Sequence, residues 1–249
     1  MRRFFVEPEL ISNDEIAIIG ELEHYLSDVL RLKIGALIEL SDGEKEICTV
    51  KLTEFAAGVI KGEISERRAF SMKSKVEIYL YQGLPKGDKL EFIVQKCTEL
   101  GVSGIIPIEM PRSVVRIIKD KSAKKTVRLQ KIATEAAQQS KQDVVPQISE
   151  PLSWQEFLRE TESLAGLTLV LWEDEKFCGL KDALANYAEV GRINLIIGPE
   201  GGLGAEEAEE LKKRGAISVS LGRKILRTET APIAALAMIG YHYGDLGVI

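Results

Sequence analysis

The chain has 249 residues, 45% hydrophobic and 29% charged, with a formal net charge of −5. This composition supports a full buried core in one large or two modest domains, and it excludes a disordered chain. The negative balance argues against a general polyanion binder, the apolar runs stop short of the roughly 20 residues a membrane span needs, and MRRFFVEPEL lacks a secretory hydrophobic region.

Residues 1–70 read as a small β-rich domain. A helix over EHYLSDVLRLKIG is expected to end near Gly35. ALIELSDG then runs into an Asp-Gly turn, EICTVKL alternates as a half-buried strand does, and GVIKGEI adds a short strand. Short strands separated by turn residues suggest a compact barrel, with ERRAFSMKSK as a linker and a second domain over 76–249.

Beyond the linker the rhythm changes. VEIYLYQ is expected as a strand. KGDKLEFIVQKCTELG sets Leu90, Ile93, Val94, Cys97 and Leu100 on one helical face and stops at Gly101. IIPIEM follows as a strand and RLQKIATEAAQQS as a helix. LTLVLW, INLIIG and ISVSLG read as buried strands with helical segments near 179–190 and 205–214 between them, the pattern of a helix-covered parallel sheet. An α/β fold is expected.

Charge is unevenly placed. Arg112, Arg116, Lys119, Lys121, Lys124, Lys125, Arg128, Lys131 and Lys141 are accompanied in their stretch only by Asp120 and Glu135. Such a stripe can track a phosphate backbone or serve simply as a solvated helix face. Cys48, Cys97 and Cys178 are widely spaced, and the chain has only two histidines, so neither a disulfide framework nor a metal site is indicated.

Two glycine-marked loops stand where an open parallel sheet binds ligands, one within LIIGPEGGLG and one within SLGRKILRTETAP. Neither carries the lysine of a phosphate loop or the spacing of a dinucleotide fingerprint. Glu206 and Glu207 open the helix after Gly204, where they suit the dipole and would repel a pyrophosphate. The ligand that remains is adenine-bearing and phosphate-free, such as S-adenosylmethionine. The bare alternative is a tight turn whose glycines serve geometry alone. Arg223, Lys224 and Arg227 suit an anionic substrate, and Arg227 with Glu229 is otherwise a surface ion pair. Thr228 or Thr230 is expected to cap the helix at Pro232. That helix, APIAALAMIGYHYG, is apolar nearly all round and calls for burial by the domain or by a partner chain. His242 reads as a packed or interfacial residue.

IIGPEGGLGAEE followed by LGRKILRTETAPIAAL resembles the C-terminal signature of the RsmE-type 16S ribosomal RNA uridine-N3 methyltransferases of the SPOUT superfamily. HYLSDVLRLKIGALIELSDG, KGDKLEFIVQKCTELGVSGIIPIEMPRSVVR, ATEAAQQS and VVPQI agree in order, so the likeness spans almost the whole chain. The resemblance implies an N-terminal PUA-like barrel for RNA, a C-terminal SPOUT domain with a trefoil knot, S-adenosylmethionine as methyl donor, a cytoplasmic homodimer, and 16S ribosomal RNA or the small subunit as partner.

It further implies cofactor binding by Leu171, Trp172, Ile197, Gly198, Pro199, Glu200, Gly201, Gly202, Leu221, Gly222, Leu226 and Arg227. RNA contacts are expected from Arg3, Arg31, Arg112, Arg116, Arg128 and Lys141. Arg227 is expected to stabilise the uracil, and Glu229 to orient it or take its proton. Two positions depart from the family: Gly204 stands where Ser or Thr is common, and Gln142 where relatives usually place an arginine. The alternatives are a methyltransferase for another RNA position and a non-catalytic ribosome-binding module.

Overall fold

The computed structural model describes residues 1–70 and 74–247, and for Lys119 and Lys121 the backbone alone. The chain divides into two compact units, Met1–Lys73 with Ala137–Val145, and Ser74–Ala136 with Pro146–Ile249. The linker expected at 66–75 is corrected in its first part, because residues 66–69 continue a strand. Its residues 71–73 lie outside the described residues.

The first unit holds β1 (Arg3–Phe5), β2 (Glu15–Ile19), α1 (Gly20–His24), β3 (Leu37–Ser41), β4 (Glu46–Ala56) and β5 (Val59–Ala69). They form one sheet in the order β1-β3-β4-β5-β2, antiparallel except for the β1–β3 pair. In β2 the alternation turns Ile16 and Ile18 inward to meet Phe4, Leu40, Val50 and Ile60, and burying each such side chain is worth about 1.5–3 kcal/mol. The Asp-Gly turn between β3 and β4 is held by Asp42 Oδ1, which accepts the N–H groups of Glu44, Lys45 and Glu46. The helix expected to reach Gly35 is shorter. After α1 it widens into a π turn over Tyr25–Val29 and ends, and Arg31 takes a left-handed φ of 51°.

The second unit holds β6 (Glu77–Gly83), α2 (Lys89–Glu99), β7 (Gly104–Glu109), α3 (Lys119–Ser140, its last residues belonging to the first unit), β8 (Gln147–Ile148), β9 (Leu152–Ser153) and α4 (Trp154–Thr161). It continues with β10 (Leu167–Leu171), α5 (Leu180–Ala185), β11 (Arg192–Ile197), α6 (Ala205–Lys213), β12 (Ile217–Val219) and α7 (Thr230–Tyr243). The sheet runs β12-β10-β11-β6-β7-β8, with β9 also on β7, and its ladders are parallel. This is the helix-covered parallel sheet expected from the apolar runs. In α2, Leu90, Ile93, Val94 and Cys97 are buried, Leu100 is half-buried, and Gly101 at φ 82° ends the helix. In α7 the faces differ: Ala235, Leu236 and Ile239 are fully buried, whereas Met238 is 47% and Tyr241 73% exposed. His242 is also exposed and lies edge-on to Tyr243. Among the described residues no helix is long and apolar enough to cross a membrane.

Candidate active site

β11, β10 and β12 lie side by side and in parallel, so the loops leaving their carboxyl ends share one rim of the sheet. They enclose a cavity of about 460 Å³. Leu171, Trp172 and Glu173 line it from β10, Ile197 to Glu200 and Gly202 from β11, and Val219 to Thr228 from β12. Lys89 and Ala231 complete the wall. Cavities at this end of an open α/β sheet are where such folds bind small molecules.

The loop after β11 is closely folded on itself. A Cβ at Gly198 would stand 2.9 Å from the carbonyl carbon of Gly202, and Gly202 itself has φ 66° with a Glu173 carboxylate oxygen only 1.9 Å from where a Cβ would be. Side chains are therefore excluded from both positions, which leaves peptide groups facing the cavity. Thr228 ties this loop to the next. Its Oγ1 donates to the Gly198 carbonyl at 2.7 Å and accepts from Gln82 Nε2 at 3.1 Å, with all three groups buried. Thr228 is thus a bridge between loops, and α7 begins after Glu229 without the side-chain cap expected from Thr228 or Thr230. Trp172 Nε1 adds a hydrogen bond to the Leu203 carbonyl at 3.1 Å.

Charge around the cavity is sorted. The Gly204 N–H donates to the Glu207 carboxylate at 2.7 Å as α6 begins, so an acidic side chain already meets the positive end of that helix. Arg223, Lys224 and Arg227 are exposed along the opposite loop. Glu200 and Glu229 face a common cation: Lys89 Nζ lies 3.1 Å from a carboxylate oxygen of each. Glu200 also accepts the Lys86 N–H at 3.0 Å. Partial burial pushes the Glu200 carboxyl upward, but the N–H groups of Lys86 and of Glu200 itself, with Lys89, outweigh it and hold the group below its ordinary value. Glu229 behaves alike. Burial raises it, and its own N–H, Lys89 and Arg227 bring it below the usual range. Its Oε2 is sealed from solvent, with the Lys89 ammonium beside it at 3.1 Å.

Residues 72–240 match the family model of the RNA methyltransferase domain. Ribosomal RNA small subunit methyltransferase E of Bacillus subtilis is 33% identical, over 97% of this chain and 96% of that protein. The chain belongs to this family. Among solved structures, ribosomal RNA small subunit methyltransferase E from Neisseria gonorrhoeae bound to S-adenosyl methionine is similar to it with TM-score 0.87 and 29% identity, covering 99% of each chain. A putative methyltransferase of Legionella pneumophila with bound cofactor SAM has TM-score 0.79 and 28% identity, covering 96% of each.

Of the family-derived cofactor positions, Leu171, Trp172, Ile197, Gly198, Pro199, Glu200, Gly202, Leu221, Gly222, Leu226 and Arg227 line the cavity. Gly201 faces the other way. Its carbonyl accepts Arg112 Nη1 at 3.3 Å, and a Cβ there would meet the Arg112 backbone oxygen at 3.0 Å. Glu229 is not among the lining residues, and its side chain, 17% exposed, lies next to Thr228 and Lys89, which are.

The arginines expected to contact RNA fare differently. In the first unit Arg3 is 3% exposed, with its guanidinium paired to Glu39 at 3.0 Å and Asp143 at 2.8 Å and donating to the carbonyls of Lys141 and Gln142. Its expected phosphate contact is corrected to an internal anchor, because the side chain is buried and its Nε and Nη1 already donate inside the unit. Arg31 and Lys141 are exposed. In the second unit Arg116 pairs with Glu109 at 3.0 Å and Arg128 with Glu91 at 2.8 Å, both arginines well exposed.

Lys89, Glu173, Ser220 and Ile225 line the cavity without having been singled out in the sequence. Lys89 did leave a signal. It opens α2, where the dipole disfavours a cation, and a lysine in that position calls for a compensating acid.

Proposed function

We propose that this protein methylates uridine at N3 in 16S ribosomal RNA, free or within the small subunit, using S-adenosylmethionine held in the cavity at the rim of the parallel sheet. The observation that carries the reading is the pairing of side-chain-free loops with an acid-opened helix. Peptide groups at Gly198 and Gly202 can meet an adenine edge, while Glu207 at the start of α6 disfavours a phosphate. The residues present therefore fit an adenosyl compound without phosphates. When bound, the cofactor supplies an electrophilic methyl group.

The chain's own residues supply position and charge. Arg227, exposed at the cavity, holds the negative charge that appears on the uracil oxygens as N3 gives up its proton. Glu229 orients the base or takes that proton. Ile225, 87% exposed between Lys224 and Leu226, gives an unstacked base an apolar surface beside these cations. The stripe on α3 and the sheet of the first unit grip the RNA backbone.

We further read residues 1–70 as a PUA-like barrel and 76–249 as a knotted SPOUT domain, acting in the cytoplasm as a homodimer whose partner covers Met238 and Tyr241. Methylation at N3 blocks the Watson–Crick edge. Primer extension on small subunits treated with enzyme and S-adenosylmethionine should therefore stop beside the modified uridine. Full-length extension, or nucleoside analysis showing the methyl group elsewhere on the RNA, would overturn the assignment.

A further inference from the structure

Two carboxylates from different loops converge on one lysine from a third element. Lys89 belongs to the first turn of α2, Glu200 to the loop after β11, and Glu229 to the loop before α7. Neither loop carries another basic side chain as close to both acids among the described ion pairs. Arg227 acts on Glu229 from its own loop, and Lys86 reaches Glu200 through its backbone N–H alone. Two carboxylates brought this near without a cation would repel, and one would take up a proton. Glu229 Oε2 adds to the demand, since it is sealed from solvent and the Lys89 ammonium at 3.1 Å stands beside it.

On the reading given above, we propose that Lys89 is a positioning residue for methyl transfer: it locks the two loops together through Glu200 and Glu229 and keeps Glu229 as a carboxylate beside the cavity. Lys89 does not act on the RNA itself. It sets the charge state and place of the group that does. The same contact makes the acid in the glycine loop a structural partner of α2, so Glu200 is not spare charge for the cofactor. The groups facing Glu229 are Lys89 from α2, Arg227 from its own loop, and Glu200 across Lys89 from the β11 loop.

The test is the pH dependence of methyl transfer to small-subunit RNA at saturating S-adenosylmethionine, for the wild type and for Lys89→Met, Lys89→Arg, Glu200→Gln and Glu229→Gln. A carboxylate held down by a cation works further into acid than one that has lost it. Lys89→Met should therefore move the acid limb to higher pH, so that near pH 5 its rate relative to its own plateau is roughly tenfold below the wild type's. Lys89→Arg should restore the limb, and Glu200→Gln should move it the other way by removing a neighbouring negative charge. Glu229→Gln should abolish it. A Lys89→Met enzyme whose plateau falls while the limb stays in place would overturn the proposal, as would an unmoved limb in Glu200→Gln should Lys89→Met not fold. A wild-type enzyme that leaves uridine N3 unmethylated would instead defeat the function proposed above.

Discussion

Replacing Gly83 by alanine is expected to unseat the cofactor loop from a strand that does not itself line the cavity. A Cβ at the end of β6 would lie 2.5 Å from Pro199 N, 2.6 Å from Pro199 Cδ and 2.9 Å from the carbonyl carbon of Gly198. Comfortable separations begin near ~3.5 Å, so the segment must retreat by about 1 Å. These are backbone and ring atoms, with no rotamer to yield. Overpacking of this kind costs about 1–3 kcal/mol, and at this chain length each kcal/mol lowers the melting midpoint by about 2–4 °C. A 1 Å error in a positioning loop can lower the rate by about a hundredfold. The assay combines calorimetric titration with S-adenosylmethionine, the transfer rate, and the thermal midpoint. Gly191→Ala serves as the control, because a Cβ there meets nothing within 4 Å, and its effect should stay within about 0.5 kcal/mol. If Gly83→Ala binds and turns over like the wild type, the argument that β6 seats this loop is wrong.

Thr228→Val removes a hydroxyl that serves two buried groups, the Gly198 carbonyl and the Gln82 amide; a loss of about 1–3 kcal/mol in urea unfolding and weaker cofactor binding should follow. Arg3→Met takes the ion-pair partner from Asp143 and leaves Glu39 with the longer Arg68 contact at 3.7 Å, the two carboxylates being 17% and 11% exposed, and should cost about 3 kcal/mol in the same measurement. The salt dependence of RNA binding should keep its slope in that variant, whereas a slope reduced by about 1 would restore Arg3 as a phosphate contact. Lys124 and Lys131 lie seven residues apart on one face of α3, and their double alanine variant should reduce the slope of log affinity against log salt by about 1–2. An unchanged slope would identify the stripe as a solvated face.

The apolar runs gave away the parallel sheet because each strand is buried on both sides, as in RINLII with five buried residues of six. Glycine spacing likewise exposed two of the cavity's loops. What stayed hidden was set by distant partners. β5 continues through Glu66–Ala69 without apolar alternation because Arg67 ties that end to Glu46, Asp14 and the Ile11 carbonyl instead. α3 begins well before RLQ because KDKSAKK is helix-competent but offers no buried period to detect. Lys89 and Glu229 belong to one cluster only after the sheet has aligned their loops, and no local pattern could join them.

The strand order also governs how this molecule must be made. β11 lies between β10 and β6, with Arg192 abreast of Glu77, so β6 emerges from synthesis long before the neighbour that completes it. Until then its free edge offers unsatisfied amides to any passing extended peptide, and the nascent product depends on late pairing with a strand of its own C-terminal half. A chain stalled before β11 would possess a hydrophobic ribbon with a vacant flank, a ready target for chaperones and proteases and incapable of holding its methyl donor.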